Sequence, residues 1–459
     1  MTRPPDSEPF GYDGYTIDAD EGVLSCRYRL GAYRFSEEIT FGPEGDWSAP
    51  AVDAAARLVF LLAGVSYYKT AAPALVELGS TATTPAERDF LRQVYVEGLG
   101  EFALANGLDL SDLRIEGPDR VPAGSPRSSE PPARPPSAGR PLVPFGGGID
   151  SVVVVEEVRA SHPDTTLLVI GPPGARFAAI EHPAEITGLP VRHVDRSIDP
   201  TVRRSAELGF LNGHVPVTGI LSAIAVTAAV LHGHDAVVMS NEWSASIGTR
   251  TVAGRSVNHQ YSKSAAFEEA MAAVLDQSIG PVPAFFSLLR ARSELWVAER
   301  FAHLTRYHRA FRSCNRAFHL DPALRAERWC GRCDKCCFID LVLAPFLPRA
   351  ELSAIFDGAE PLADATLADR FATLLGTAGD KPFECVGDVE ECRVALHAAA
   401  ARPDRADSPL LATLAAAAPL PGPGGLDQAV ERLLRPMGPD RIPERYRIPD
   451  DVAPAALVV

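Results

Sequence analysis

The sequence predicts an α/β protein: a parallel-sheet domain with helices on its faces, preceded by a smaller α+β unit and followed by a helical region. Three observations carry that expectation. Short apolar runs alternate with helical patterns from residue 141 onward. A glycine-rich turn, "FGGGIDS" (145–151), joins the first apolar run to the first helical pattern. A stretch rich in Pro, Gly, Ser and charge, 117–141, reads as a linker that sets this region apart from what precedes it.

The elements follow in chain order. "VLSCRYRLGAYRFSEEITF" (23–41) alternates about Gly31, the pattern of a β-hairpin. "APAVDAAARLVFLLAG" (49–64) and "PAERDFLRQVYVEGLGEFALANG" (85–107) carry apolar faces at helical spacing, so 1–116 is expected to form an N-terminal α+β domain. In the domain expected over 142–348, the strands are "PLVPF" (141–145), "TLLVIG" (166–171), "VRHVD" (191–195) and "AVVMS" (236–240). The β-branched run in "DSVVVVEEVRAS" suits a strand, but the glycine turn before it favours a helix, and that reading is adopted. "TGILSAIAVTAAVLHG" (218–233) and most of 265–311 read as helical. Residues 349–459 form a small helical C-terminal region, with an Ala/Pro/Gly-rich tail (403–459) expected to run extended over the surface.

Composition excludes several classes. Hydrophobic residues make up 46% and charged residues 22% of the 459 positions, the balance of a soluble globular chain. No apolar run of membrane-spanning length and no hydrophobic N-terminal signal region stand out, so no membrane partner and a cytoplasmic location are expected. The net charge of −15 opposes nucleic-acid binding, which needs a basic surface. No pattern in the chain speaks to oligomeric state.

The glycine turn is the first chemical signal. Glycines let backbone N–H groups approach an anion, and the helix that follows adds partial positive charge. Neither G-x-G-x-x-G nor a G-K-[ST] ending is present; what remains is Gly147, Gly148, Ile149, Asp150 and Ser151. The simpler alternative is a tight turn with Asp150 or Ser151 as helix cap; the strand–turn–helix context favours the anion site.

The second signal is cysteine spacing. Cys330, Cys333 and Cys336 follow C-x-x-C-x-x-C, and Cys314 lies upstream in "FRSCNRAF". Four thiolates suit a closed tetrahedral Zn²⁺ site, with an iron–sulfur cluster as the rival. Cys337 is expected to point away, and Cys385 and Cys392 to pack in the core.

Other polar stretches fall at strand ends. Asn241 and Glu242 in "MSNEWSAS" (239–246) are placed to meet Mg²⁺ or substrate. "NHQYSKS" (258–264) groups His259, Tyr261 and Lys263, and "GHVPVTG" (213–219) opens a helix beside the expected pocket. In "GVSYYKTAAP" (64–73), residue type alone favours packing for Tyr67 and Tyr68 and a surface charge for Lys69.

The G-G-x-D-S pattern resembles the PP-loop of N-type ATP pyrophosphatases, usually S-G-G-x-D-S. The resemblance implies an adenine nucleotide alpha hydrolase-like fold that splits ATP between its α and β phosphates. Gly147, Gly148 and Ser151 would cradle pyrophosphate, Asp150 would hold Mg²⁺ and Lys263 would neutralise the leaving group; Gly146 stands where the usual Ser would be. "CGRCDKC" (330–336) is similar to the zinc-binding segment of 7-cyano-7-deazaguanine synthases, also PP-loop enzymes.

Taken together, "GVSYYKTAAP", "PFGGGIDSVV", "VMSNEWSAS", "VNHQYSKS", "SCNRAF" and "RWCGRCDKCCF" resemble the MurL family over about residues 20–350. These are UDP-N-acetylmuramoyl-L-alanyl-L-glutamate epimerases of peptidoglycan synthesis. The resemblance implies ATP- and Mg²⁺-dependent inversion of the terminal L-Glu of a UDP-muramoyl dipeptide through an acyl-adenylate, yielding AMP and diphosphate. Lys69, Tyr67, Tyr68, His259 and Tyr261 are then the candidate acid/base groups, and Arg250, Arg255, Arg290 and Arg292 candidates to meet the substrate's anionic groups. Two alternatives stand: another PP-loop pyrophosphatase, such as a deazaguanine nitrile synthase or tRNA-modifying enzyme, and a nucleotide-binding protein without activity, which Gly146 keeps open.

Overall fold

A strand buried on both faces must feed two cores, and the central parallel strands here do so. The structure, a computed structural model, describes residues 8–120, 139–252, 254–319, 322–422 and 424–448. Most of the expected linker, 117–141, lies outside the described residues.

The strands are β1 (Phe10–Asp18), β2 (Val23–Leu30), β3 (Tyr33–Thr40), β4 (Leu75–Glu77), β5 (Arg114–Glu116), β6 (Pro141–Pro144), β7 (Thr166–Gly171), β8 (Val191–Ile198), β9 (Ala236–Met239), β10 (Arg250–Val252), β11 (Arg255–Val257) and β12 (Ala284–Ser287). β10 and β11 form a separate hairpin; the other ten make one sheet in the order β12-β9-β6-β7-β8-β3-β2-β1-β4-β5. From β12 to β8 the pairing is parallel throughout. The chain runs from β6 outward to β8, then returns to β9 on the other side of β6. The β6/β9 boundary is therefore a topological switch point, where ligands gather at strand carboxyl ends.

Successive strand residues point to opposite faces. Val143, Val238 and Phe286 enter one core, Leu142, Val237 and Phe285 the other. Helices Ile149–Ser161, Glu294–Ala302, Asp334–Leu343 and Val389–Ala400 cover the first face. Helices Pro50–Ala63, Val217–His232 and Ala265–Ser278 cover the second. The valine run is helical as expected, with Val152 to Val155 all buried. The hairpin expected about Gly31 is β2–β3, with Gly31 at φ +54°.

Three expectations are corrected. The segment 1–116 does not close a core of its own: β3 pairs antiparallel with β8, and its helices share the second core with the central strands. The buried Glu37–Arg196 ion pair, at 2.7 Å, lies at that seam. The tail is not extended over the surface. Helices Pro409–Ala417 and Leu426–Leu434 pack into the first core, and the buried Tyr446 hydroxyl donates to Asp235 at 3.0 Å. Finally, Pro50–Tyr68 is long and apolar enough to cross a membrane, but 89% of its apolar 18-residue window is buried within the fold, as for a core helix.

Candidate active site

The glycine loop lies at the carboxyl end of β6, at the switch point. Phe145 N–H bonds to Leu168 O at 2.8 Å and anchors the loop to β7. Gly147 adopts φ +74°, and a Cβ there would stand 2.2 Å from Ala179 O, so only glycine fits without strain. Around Gly146, by contrast, nothing lies within 4 Å of an added Cβ. Helix Ile149–Ser161 begins at Gly148 with no side-chain cap, and Ser151 Oγ turns back to Gly148 O at 3.0 Å. Neither Asp150 nor Ser151 is therefore the cap, and the helix N-terminus keeps its amides for an anion.

Asp150 stands among opposing charges. Its Oδ1 is buried and has no hydrogen-bond partner among the described residues. Burial and then Glu242 push its carboxyl up to about 7, against Lys335 and Lys263. Burial, Glu242 and Asp150 likewise push Glu294 upward. A Mg²⁺-type ion with oxygen ligands fits the open Asp150 oxygen. Asn241 and Glu242 lie at the end of β9 as expected; Ser287 Oγ holds the Asn241 N–H at 2.7 Å.

A continuous line of polar groups leads away from the loop. Lys263 is desolvated, yet Cys385, Glu242 and Asp150 hold it as an ammonium. The Cys385 thiol lies beside Lys263 and His259, whose ring is 6.1 Å from that of Phe383, two residues before the thiol. His259 Nδ1 meets Glu101, and its ring packs on His214 with centroids 4.2 Å apart. Beyond His214, the Lys69 ammonium donates to Asn212 Oδ1 at 2.7 Å and Gly213 O at 3.0 Å. Burial lowers the Lys69 pKa. Burial opposes the His259 charge, but Cys385 and Glu101 raise it to about 9, while burial and His259 hold His214 down at about 4. Glu101, His214 and His259 offer ligand atoms within 4.8 Å of one another.

Several expected residues lie elsewhere. Tyr67 and Tyr68 are core residues: their hydroxyls donate to Glu37 Oε2 and to Pro73 O, each at 2.9 Å, and burial raises the Tyr67 phenol well above its ordinary range. Tyr261 turns from the cluster to Gln93 Oε1 at 3.4 Å. Arg290 is fully buried and ties Glu268, Glu242 O and Lys263 O together, so it is not free for substrate. Arg292 covers the Trp296 ring and Arg250 the Phe383 ring. The Arg255 side chain lies outside the described residues.

The structure offers other basic groups. A cavity of about 580 Å³ starts at Ala179, against the loop, and is lined by Arg176, His182, Arg312, Arg325 and Phe177. Its size and charge suit a nucleotide. Cys385, expected to pack in the core, belongs to neither core and lies in this cluster instead, and His214 entered only as part of "GHVPVTG". Glu101 was not singled out, because its partners come from distant segments.

Cys314, Cys330, Cys333 and Cys336 converge with all Sγ atoms within 4.8 Å. The Cys330–Cys336 and Cys333–Cys336 sulfur distances are 3.6 and 3.4 Å. A single tetrahedral ion with bonds of about 2.3 Å asks for sulfurs about 3.8 Å apart; a cubane cluster, bound at its corners, spreads them much wider. Cys337 is buried outside the group, as expected. The site braces the loop, since Ser313 Oγ lies 3.3 Å from where a Gly148 Cβ would stand and Lys335 bears on Asp150.

Comparison with known proteins agrees over nearly the whole chain. Residues 1–288 match the MurL N-terminal domain and 310–425 the MurL C-terminal domain. A relative from Xanthomonas oryzae pv. oryzae is 40% identical over 84% of each chain. One from Salinispora tropica is 37% identical over 96% of this chain and 94% of its own, and one from a Micromonospora species 38% over 96% and 97%. All three are named UDP-N-acetyl-alpha-D-muramoyl-L-alanyl-L-glutamate epimerase. No solved structure gives a significant match.

Proposed function

The chain belongs to the MurL family, and from that premise we propose that it is an ATP-dependent epimerase that inverts the terminal L-Glu of UDP-MurNAc-L-Ala-L-Glu. The observation that carries the ATP requirement is the run of charged groups that joins the glycine loop to the acid/base candidates. The glycine loop with Asp150 and the proton-handling groups from Lys263 to Lys69 form one connected cluster.

The chemistry explains the combination. A free carboxylate resists loss of its α-proton, because the resulting enolate would carry two negative charges. Transfer of AMP to that carboxylate removes one charge, and a modest base then suffices. The loop amides of 146–151 receive the departing diphosphate, and Lys263 matches its charge. Asp150 and Glu242 would hold Mg²⁺, which supplies positive charge to the phosphates. The basic cavity beside Ala179 takes the nucleotide. Lys69 and His259 remain acid/base candidates; the tyrosines do not. Water finally releases AMP from the inverted acyl group. The four cysteines would hold a structural Zn²⁺, and their segments carry Ser313 and Lys335 beside the loop.

Incubation with ATP, Mg²⁺ and the L-Glu dipeptide nucleotide should yield D-Glu on chiral analysis, with AMP and diphosphate. Inversion at full rate without nucleotide, or AMP release driven instead by 7-carboxy-7-deazaguanine, would overturn this reading.

A further inference from the structure

Cys385 stands apart from the other cysteines. Four converge on one point, and Cys26, Cys337 and Cys392 are buried in the cores. Cys385 instead sits where three chain regions meet. Its segment is held there by packing and hydrogen bonding: the His259 ring lies 6.1 Å from that of Phe383, and Asn315 donates to Glu384 Oε1 at 3.0 Å. Lys263 and His259 lie beside the thiol, and His259 is fixed by Glu101 from the N-terminal segment. Asp150, with its unpartnered buried oxygen, lies in the same field.

The site needs a base here. Lys263 is locked as an ammonium by the anions around it and has no lone pair to give. The phenols of Tyr67 and Tyr68 are sealed in the core and bound elsewhere. A thiolate flanked by an ammonium and an imidazolium is ready to accept a proton and is near the loop where the acyl group would be activated.

We propose that Cys385 is a catalytic residue, one of the two groups that exchange a proton with the α-carbon of the terminal glutamate. The Cα–H bond breaks, an S–H bond forms, and the electron pair moves into the carbonyl of the activated acyl group. A second acid returns a proton to the opposite face, and both groups re-equilibrate with solvent. The inference rests on the proposed epimerisation and adds the residue that performs half of it. The charge environment agrees: although burial opposes ionisation, Lys263, His259 and Lys335 bring the thiol down to about 6. At neutral pH such a group is ionised about ten to one.

The test uses full-length wild type, Cys385→Ala and Cys385→Ser in D₂O with ATP, Mg²⁺ and the L-Glu dipeptide nucleotide. D-Glu formation, deuterium at Cα and AMP are measured together. Both variants should lose inversion at least 100-fold more than they lose AMP release. Equal loss of the two marks a structural role and overturns the proposal, as does inversion at the wild-type rate. Wild type that inverts without forming AMP refutes the activation reading instead. Should neither variant fold, iodoacetamide labelling of wild type, mapped to Cys385 by peptide mass, decides. A rate that titrates near pH 6 and slows with bound substrate supports the proposal; an ordinary thiol profile above pH 8, or no protection, overturns it.

Discussion

Gly147→Ala tests whether the loop acts through its backbone shape. At φ +74° an L-residue carries about 1–2 kcal/mol of strain. The added methyl would stand 2.2 Å from Ala179 O and 3.0 Å from Ile180 Cα. Both are backbone atoms at the start of helix Ala178–Thr187 and cannot swing aside. Relief of such overpacking costs a further ~1–3 kcal/mol. The sum of about 2–5 kcal/mol either lowers stability or displaces the loop, and misplacement by about 1 Å costs about 10²-fold in rate. The expected result is a lower urea midpoint and a kcat/KM for ATP, read by pyrophosphate release, down by about 10²-fold or more. Gly146→Ala is the control: its methyl meets nothing within 4 Å, and its stability should stay within about 0.5 kcal/mol of wild type. A Gly147→Ala protein with wild-type midpoint and kcat/KM would refute the reasoning.

Four further outcomes are expected. Metal analysis should find one zinc per chain in the Cys314/Cys330/Cys333/Cys336 group, and its removal by chelator, or Cys336→Ser, should abolish AMP release and lower the urea midpoint. Gly146→Ser, entering open space, should fold normally and lower the KM for ATP about three- to tenfold through one added phosphate hydrogen bond. Glu37→Gln should destabilise by about 3–5 kcal/mol in urea melts, because it leaves the Arg196 charge buried without its partner. Glu101→Gln should lower the His259 pKa from about 9, read by NMR. Since the folded pKa lies above the unfolded one, the stabilisation is fully present below pH 6.5 and lost as pH rises through 9. The variant should therefore be less stable than wild type at pH 6 and match it near pH 10.

What could be read in the sequence was what local pattern encodes. Four strands of the parallel region, the helix after the glycines and the four-cysteine group rest on spacing within short windows, and each is present; β12 lay within 265–311, read as mostly helical, because a four-residue apolar run does not tell strand from helix. Tyr67 and Tyr68 misled because a motif shared along a family marks shape as well as chemistry; their phenols turn into the core beneath Lys69. Arg290 was misread because residue type does not disclose that Glu268 waits beside it. Cys385 and Glu101 had no pattern at all: each meets His259 only when segments more than 100 residues apart close on one cluster. The continuity of the sheet across β3 and β8 was hidden for the same reason, since an edge-to-edge pairing leaves no periodic trace in either strand.

The two-sided burial of the central strands bears on how the polypeptide can be cut. A fragment ending at residue 288, where the first family match stops, would keep Val143, Val238 and Phe286 but lose Trp296, Phe338, Leu396 and Tyr446, which cover them. Such a piece presents a broad oily surface to solvent and is expected to precipitate when expressed alone. Supplying residues 289–448 in trans during refolding is the natural rescue, because the missing half is a lid for the whole sheet and not an appendage.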